Sequence, residues 1–404
     1  MSLSRNPAPE KCAKCGACTT VCPVYQVTGK ESHTARGRLH LFTLLENNAS
    51  RAYADILSQC LLCGACSDAC PRGIDIPAKI RNARHDLPDL AGPLHFKKLL
   101  TKKALSSPNL LEGLGTLHKN LLAKLPKESG LRKVLPFHGI SEKEENHNFP
   151  SLHESEALPD AQLSYFAGCM ASYLVPEIQS ATLQLAERAT GSPPAIPADQ
   201  SCCGLASYSS GDLKEARKLA QRNITAFADS ALPILTSCAS CYSHLSNYPE
   251  LFADDPDWSD AATQFASRLY EFSSFFLDNL EELPFAENQA TADIFYHDPC
   301  HLRFSQKKTI TPPRSLIKAA TGHSPLELPH GPQCCGNGGL FSLAHGDLSR
   351  QILQPLIHEI SELSACQVVT TCSGCLLQLM KGKKSGSMQT KVRHLSILLN
   401  DLLK

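Results

Sequence analysis

The stretches CAKCGACTTVCP (residues 12–23) and CLLCGACSDACP (residues 60–71) decide how the rest of the chain is read. Both follow the spacing C-x2-C-x2-C-x3-C-P. Three cysteines at three-residue steps fit into one tight turn, so their thiolates converge on one metal cube. The fourth comes one residue further on and is followed by proline, which starts a new direction of chain. Bacterial proteins hold [4Fe–4S] clusters with this spacing, and where two clusters are present the fourth cysteine of each run ligates the other cluster. The expected sets are therefore Cys12, Cys15 and Cys18 with Cys70, and Cys60, Cys63 and Cys66 with Cys22. Zinc also takes CxxC pairs, but a tetrahedral site needs neither the third step nor the proline.

The chain has 404 residues, enough for two or three domains and a substantial core. Lys plus Arg and Asp plus Glu are 39 each, so charge gives no argument for nucleic acid as a partner. The opening MSLSRNPAPEK has no apolar stretch of the kind a secretory signal needs, and no apolar run approaches the roughly 20 residues that span a bilayer. The 19 cysteines cluster at ligand spacings, which points to metal in a reducing cytoplasm rather than to disulfides. Cys366, in LSACQVV, stands outside these clusters and reads as a small buried hydrophobe.

Residues 1–85 form the first unit. Its two motifs are separated by TARGRLHLFTLLENNASRAYADILSQ, whose apolar spacing suits helices better than strands. In this it resembles the α-helical ferredoxin domain of succinate dehydrogenase and fumarate reductase iron–sulfur subunits. Residues 86–160 are a connector. Leu94 to Lys133 is Leu-rich and basic, with Glu112 and Glu128 as its acids, and SEKEENHNFPSLHESEALPD is an acidic surface linker. The basic part reads as a helical connector interrupted by Ser-Ser-Pro and Leu-Pro. The other reading is an amphipathic stretch lying on the anionic inner face of the cytoplasmic membrane.

The remainder is a duplication, 161–290 and 291–404. LSYFAGCM, QSCCGLAS and ILTSCASC in the first copy return as DIFYHDPCH, PQCCGNGG and VVTTCSGC in the second. Each copy alternates short apolar strands with helical segments, a βαβα pattern with cysteines at the C-terminal ends of strands. The fold class is thus α plus α/β: a helical domain with two [4Fe–4S] motifs, then two duplicated α/β domains. Each copy holds five cysteines: Cys169, Cys202, Cys203, Cys238 and Cys241, then Cys300, Cys334, Cys335, Cys372 and Cys375. Five thiols are one more than a cubane or a tetrahedral zinc uses. Gly204 and Gly336 follow the adjacent pairs where a turn needs positive φ or a cluster leaves no room. A structural zinc with a spare thiol, or a vicinal disulfide switch, is the competing reading.

The doubled motif resembles that of the CCG-containing iron–sulfur proteins. In their heterodisulfide reductases it holds non-cubane [4Fe–4S] clusters with five cysteine ligands. Two ferredoxin motifs followed by two CCG domains are similar to the iron–sulfur subunit of glycolate oxidase and of related D-lactate dehydrogenases. The same layout occurs in the iron–sulfur subunits of heterodisulfide reductase and of anaerobic glycerol-3-phosphate dehydrogenase. CPVYQVTGKESHTARGRLHL and VRHLSILLNDLL favour the glycolate oxidase group, although Ala35 stands where that group has Pro before Arg36-Gly37-Arg38. The completeness of both CCG sets is instead as in thiol–disulfide enzymes. The resemblance implies two ferredoxin-type [4Fe–4S] clusters, one or two further clusters in the CCG domains, and an oxidoreductase acting on the CH–OH of a 2-hydroxy acid. It also implies an FAD-containing partner protein and a quinone or similar acceptor. The alternatives are a disulfide-reducing catalytic protein, the glycerol-3-phosphate system, or a redox-sensing protein.

No G-x-G-x-x-G follows a strand and there is no Walker loop, so no nucleotide or flavin site is expected on this chain. His297 and His301 bracket Cys300 and either donate to cluster sulfurs or cap the local turn. Arg36 and Arg38 either shield cluster charge, contact a partner or pair on the surface. Gly338 and Gly339 have no counterparts in the first copy, where Ala206 and Ser207 stand, and are given no chemistry.

Overall fold

The computed structural model describes residues 12–44, 50–87, 160–285, 293–305, 307–363, 365, 367–384 and 390–403. Cys366 and nearly all of the 86–160 connector, including its basic stretch, lie outside the described residues.

The first unit is helical, as its periodicity implies. Pro23 opens the helix Pro23–Thr28, and Ala35–Leu44, Arg51–Ser58 and Ile76–Asp86 follow. Ser50 caps Arg51–Ser58 by accepting from Tyr53 N–H, and Asp75 caps the last helix by accepting from Ala78 N–H. Leu39, Tyr53, Leu57, Ile74, Ile76 and Ile80 form the small core between these helices.

Each later copy is a three-stranded parallel sheet with helices. Strands β1 (Ser164–Phe166), β2 (Ile234–Thr236) and β3 (Leu269–Glu271) pair in that order, with Phe166 opposite Thr236 and Thr236 opposite Glu271. Strands β4 (Ile294–Tyr296), β5 (Gln367–Thr370) and β6 (Lys391–His394) repeat the arrangement. An extra parallel bridge flanks each first strand, Ser164 to Ala195 and Phe295 to Leu326. The strands read as short apolar runs because both sheet faces are covered. Ile234, Phe295 and Val368 enter one core and Leu235, Tyr296 and Val369 another. Both cores draw on both copies, so the two α/β units are packed as one body.

The helical unit docks through one apolar cluster and several polar contacts. Val24 and Leu61 pack on Phe341 and Ile352 of the second copy, with Cys22, Cys63 and Cys334 at the edge of the same cluster. Gly338 is the closest approach: a Cβ there would lie 2.4 Å from Leu61 Cδ2, and its φ is +51°. That contact explains a glycine to which the sequence assigned no role. On the first copy, Arg84 donates to Ser209 O at 2.6 Å and His85 bonds Gly211 O at 2.9 Å.

Candidate metal centres

The two N-terminal runs adopt the same turn. Lys14 and Leu62 both have φ of 54°, and Gly16 and Gly64 have φ of 87° and 85°. Left-handed residues alternating with ordinary ones turn successive N–H groups into one concavity, which suits anionic sulfur. Leu62 N–H accordingly donates to Cys60 Sγ at 3.4 Å. The fourth cysteine of each run crosses over. One cavity is lined by Cys12, Cys15, Cys18 and Cys70, the other by Cys22, Cys60, Cys63 and Cys66. Each therefore gathers three thiols of one run with the last thiol of the other, a donor set that fits a four-iron cube.

Burial pushes the Cys18, Cys22, Cys63 and Cys66 thiols up from their ordinary range. A bound cation would reverse that effect by favouring thiolate. Arg36 lines the first cavity, donates to Lys14 O at 3.4 Å and forms an ion pair with Glu31 at 2.5 Å. Its guanidinium holds the Glu31 carboxyl below the usual carboxylate range. Arg38 departs from the surface reading and lines the second cavity, where its charge favours the Cys22 thiolate. It is 2% exposed, and its guanidinium donates to the carbonyls of His33, Ile56 and Gln59. It ties the second cavity's wall together from within.

In the α/β copies the cysteines stand where strands end. Cys169 sits in the helix Gly168–Tyr173 after β1, and Cys300 opens Cys300–Arg303 after β4. Cys238 caps Ala239–Ser246 after β2, with Cys241 in that helix's first turn, and Cys372 and Cys375 flank the start of Ser373–Lys384 after β5. Gly204 and Gly336 have φ of 91° and 76°, and a Cβ at Gly336 would come within 2.7 Å of Ser349 O. Positive φ is thus the reason for both glycines. The loop before Cys300 is fixed by Arg314, whose two Nη atoms donate to Asp298 at 2.9 and 2.7 Å.

The thiols of the two copies form one string. Cys169 and Cys203 lie against Cys202, Cys241 lies against Cys203 and Cys238, and Cys372 lies against Cys238. Cys375 in turn lies against Cys372 and is in hydrogen-bond contact with Cys335, the two sulfurs 3.4 Å apart. These neighbouring sulfurs hold the Cys202, Cys238 and Cys335 thiols well below the ordinary range. They hold the Cys169, Cys241 and Cys375 thiols above it. Cys300 and Cys334 flank the string on the side of the helical unit: burial raises both thiols, and the field of Cys63 reaches Cys300. All eighteen described cysteines are free thiols. So many buried sulfurs in mutual contact cannot ionise together without positive charge among them. That chemistry fits multi-iron ligation.

Two serines absent from the sequence argument, and the two histidines it named, complete the setting. Ser240 Oγ lies 3.2 Å from Cys372 Sγ and 2.7 Å from His301 Nδ1, so His301 acts on the second set through a serine of the first copy. Ser373 of the second copy lies against Cys238 of the first. The ring of His297 stands with the Cys335 and Cys375 sulfurs, all within 4.8 Å of one another. The only local signal for Ser240 was its place inside the CxxC.

Comparison with known proteins agrees with this arrangement. The 4Fe-4S dicluster domain family matches residues 8–74, and the cysteine-rich (CCG) domain family matches residues 163–246 and 294–380. The chain is 29% identical over 420 aligned positions to the probable glycolate oxidase iron-sulfur subunit of Bacillus subtilis, covering 96% of this chain and 92% of that protein. It is 33% identical over 241 positions to lactate utilization protein A of Geobacillus kaustophilus, and 31% over 242 positions to that of Geobacillus thermodenitrificans. Each of these alignments takes in 59% of this chain and 98% of the relative.

Proposed function

We propose that this chain, which belongs to the family of iron–sulfur subunits that includes the glycolate oxidase iron-sulfur subunit and lactate utilization protein A, relays electrons from a separate flavoprotein that oxidises glycolate or D-lactate. The observation that supports the reading is the succession of thiols from the helical unit through the second α/β copy to the first. Cys63, Cys22 and Cys334 edge one apolar cluster, and Cys372 lies against Cys238.

Clusters bound at these cysteines supply one-electron transfer, whereas oxidation of a C–H bond releases an electron pair that flavin can accept and pass on singly. The chain's own residues hold and space the sites. Cys12, Cys15, Cys18 and Cys70 form the outermost set, with Cys15 exposed. Cys22, Cys60, Cys63 and Cys66 come next, and the two five-cysteine sets follow. Arg38 and Arg84 fix the carbonyl-lined walls around the second set; Arg84 donates to Leu57 O and Cys60 O at 2.7 Å each. Among the described residues no helix is long and apolar enough to cross a membrane.

Burial of Cys202, Cys203, Cys238, Cys241, Cys335, Cys372 and Cys375 favours relay over direct attack on a disulfide substrate. Anaerobic stopped-flow mixing tests both. Oxidised chain mixed with glycolate or D-lactate alone is expected to stay oxidised, and to be reduced once an FAD-containing partner is added. Reduction without the partner, or rapid disulfide cleavage by the pre-reduced chain, would contradict the relay.

A further inference from the structure

The two α/β copies are built alike around their cysteines but differ at one buried position. Tyr165 and Tyr296 are equivalent: their hydroxyls bond Ser237 Oγ at 2.8 Å and Thr371 Oγ1 at 2.9 Å, each residue immediately preceding the first cysteine of the CxxC. The residues after these tyrosines are therefore equivalent too, and each precedes its Cys169 or Cys300 by three positions. In the first copy that residue is Phe166, fully buried and 6.1 Å from the Phe227 ring. In the second it is His297, 2% exposed, its backbone N–H fixed on Val369 O at 2.8 Å. The imidazole faces the Cys335 and Cys375 sulfurs, its ring nitrogen within 4.8 Å of both. An imidazole at this point is one chemical asymmetry between the two sulfur sets; His301, acting through Ser240, and the Lys381 charge near Cys335 are others on the second set.

We propose that His297 is a positioning residue that donates a hydrogen bond to the Cys335 sulfur and thereby sets the reduction potential of the second five-cysteine centre above that of the first. The inference rests on the reading that each five-cysteine set holds an iron–sulfur centre. Reduction adds one electron and one negative charge to the centre, and no bond is made or broken. An N–H aimed at a ligand sulfur stabilises the more negative, reduced state, which raises the potential. Phe166 offers the first centre no such donor. The consequence is an energetic step between neighbouring centres, with an electron resting preferentially on the one nearer the helical unit.

The experiment is an EPR-monitored redox titration of the anaerobically purified full chain and of its H297F and H297Q variants. For H297F, the oxidised-to-reduced ratio of one centre at fixed solution potential is expected to rise roughly tenfold, as loss of a hydrogen bond to a charged group implies. H297Q, which keeps an N–H donor, is expected to fall between H297F and wild type, and the ferredoxin-type signals are expected not to move. Unchanged potentials in H297F with full iron would overturn the inference while leaving the ligand reading intact. A wild-type chain showing ferredoxin-type signals alone would overturn the ligand reading and the inference with it. Pulsed EPR of wild type decides the matter even if H297F loses iron. Weak nitrogen coupling to one centre supports donation; coupling of ligand strength, or none, contradicts it.

Discussion

Cys238 of the first α/β copy and Cys372 of the second make a thiol–thiol contact across the interface between the copies. Beside it, Ala239 N–H donates to Thr371 O at 2.9 Å, so the two CxxC loops meet through backbone and sulfur together. Parallel strands of three or four residues deliver both loops to the same place, which a duplicated domain does at little cost in new sequence. The relay reading depends on this contact, because it makes the two five-cysteine sets neighbours.

The crossed cavities in the helical unit lead to a pairing test. Replacing Cys70 with Ala is expected to remove the same cluster as replacing Cys12, with about four irons lost in either variant and no further loss in the double variant. Replacing Cys22 is expected to match Cys60 instead. Iron determination on the four single and two double variants checks this. Additive losses from Cys12 and Cys70 would contradict the crossing.

Gly338 is expected to resist replacement at the docking face. An added Cβ would press on Leu61 in a backbone conformation that side chains resist, so G338A should cost roughly 2–4 kcal/mol. Gly29 also has positive φ, +63°, but nothing lies within 4 Å of its Cβ position. G29A should therefore cost only about 1 kcal/mol. Urea unfolding of the two variants against wild type measures the difference, and equal losses would show that the Leu61 contact does not matter.

A buried histidine at the end of β6 should make stability fall in acid. His394 is fully buried and caps the helix Leu395–Asp401 by accepting from Ser396 N–H, and burial pulls its pKa down to about 4. The unfolded chain's imidazole takes up its proton near pH 6.5, so stability is present above that pH and is lost as pH falls toward 4. Between pH 6.5 and 5 this residue alone should cost about 1.5 kcal/mol. Wild type should lose that much more stability than H394Q over the interval in urea titrations. Equal losses would place the acid sensitivity elsewhere.

Much of this was legible in the sequence because the chemistry demands fixed spacings. Two C-x2-C-x2-C-x3-C-P runs and two Cys, Cys-Cys-Gly, CxxC sets leave few arrangements open, and β-branched residues running into each CxxC announced the strands. What the sequence did not carry was long-range. For Arg38 the sequence left shielding, partner contact and surface pairing open, because its burial against the carbonyls of Ile56 and Gln59 comes from residues some twenty positions away. Gly338 lacked a partner until Leu61 was placed against it. Ser240 and His301 lie 61 residues apart in different copies, so no local pattern joins them to Cys372. The shared string of thiols was equally out of reach, since the repeat defines two sets without saying that they touch.

Metal content tests the central claim most directly. The cysteines are read as holding four four-iron clusters, so the anaerobically purified chain should contain about 16 irons and matching sulfide with little zinc. About eight irons together with stoichiometric zinc would contradict it, because the α/β copies would then be structural zinc units and the run of thiols would not be a path for electrons.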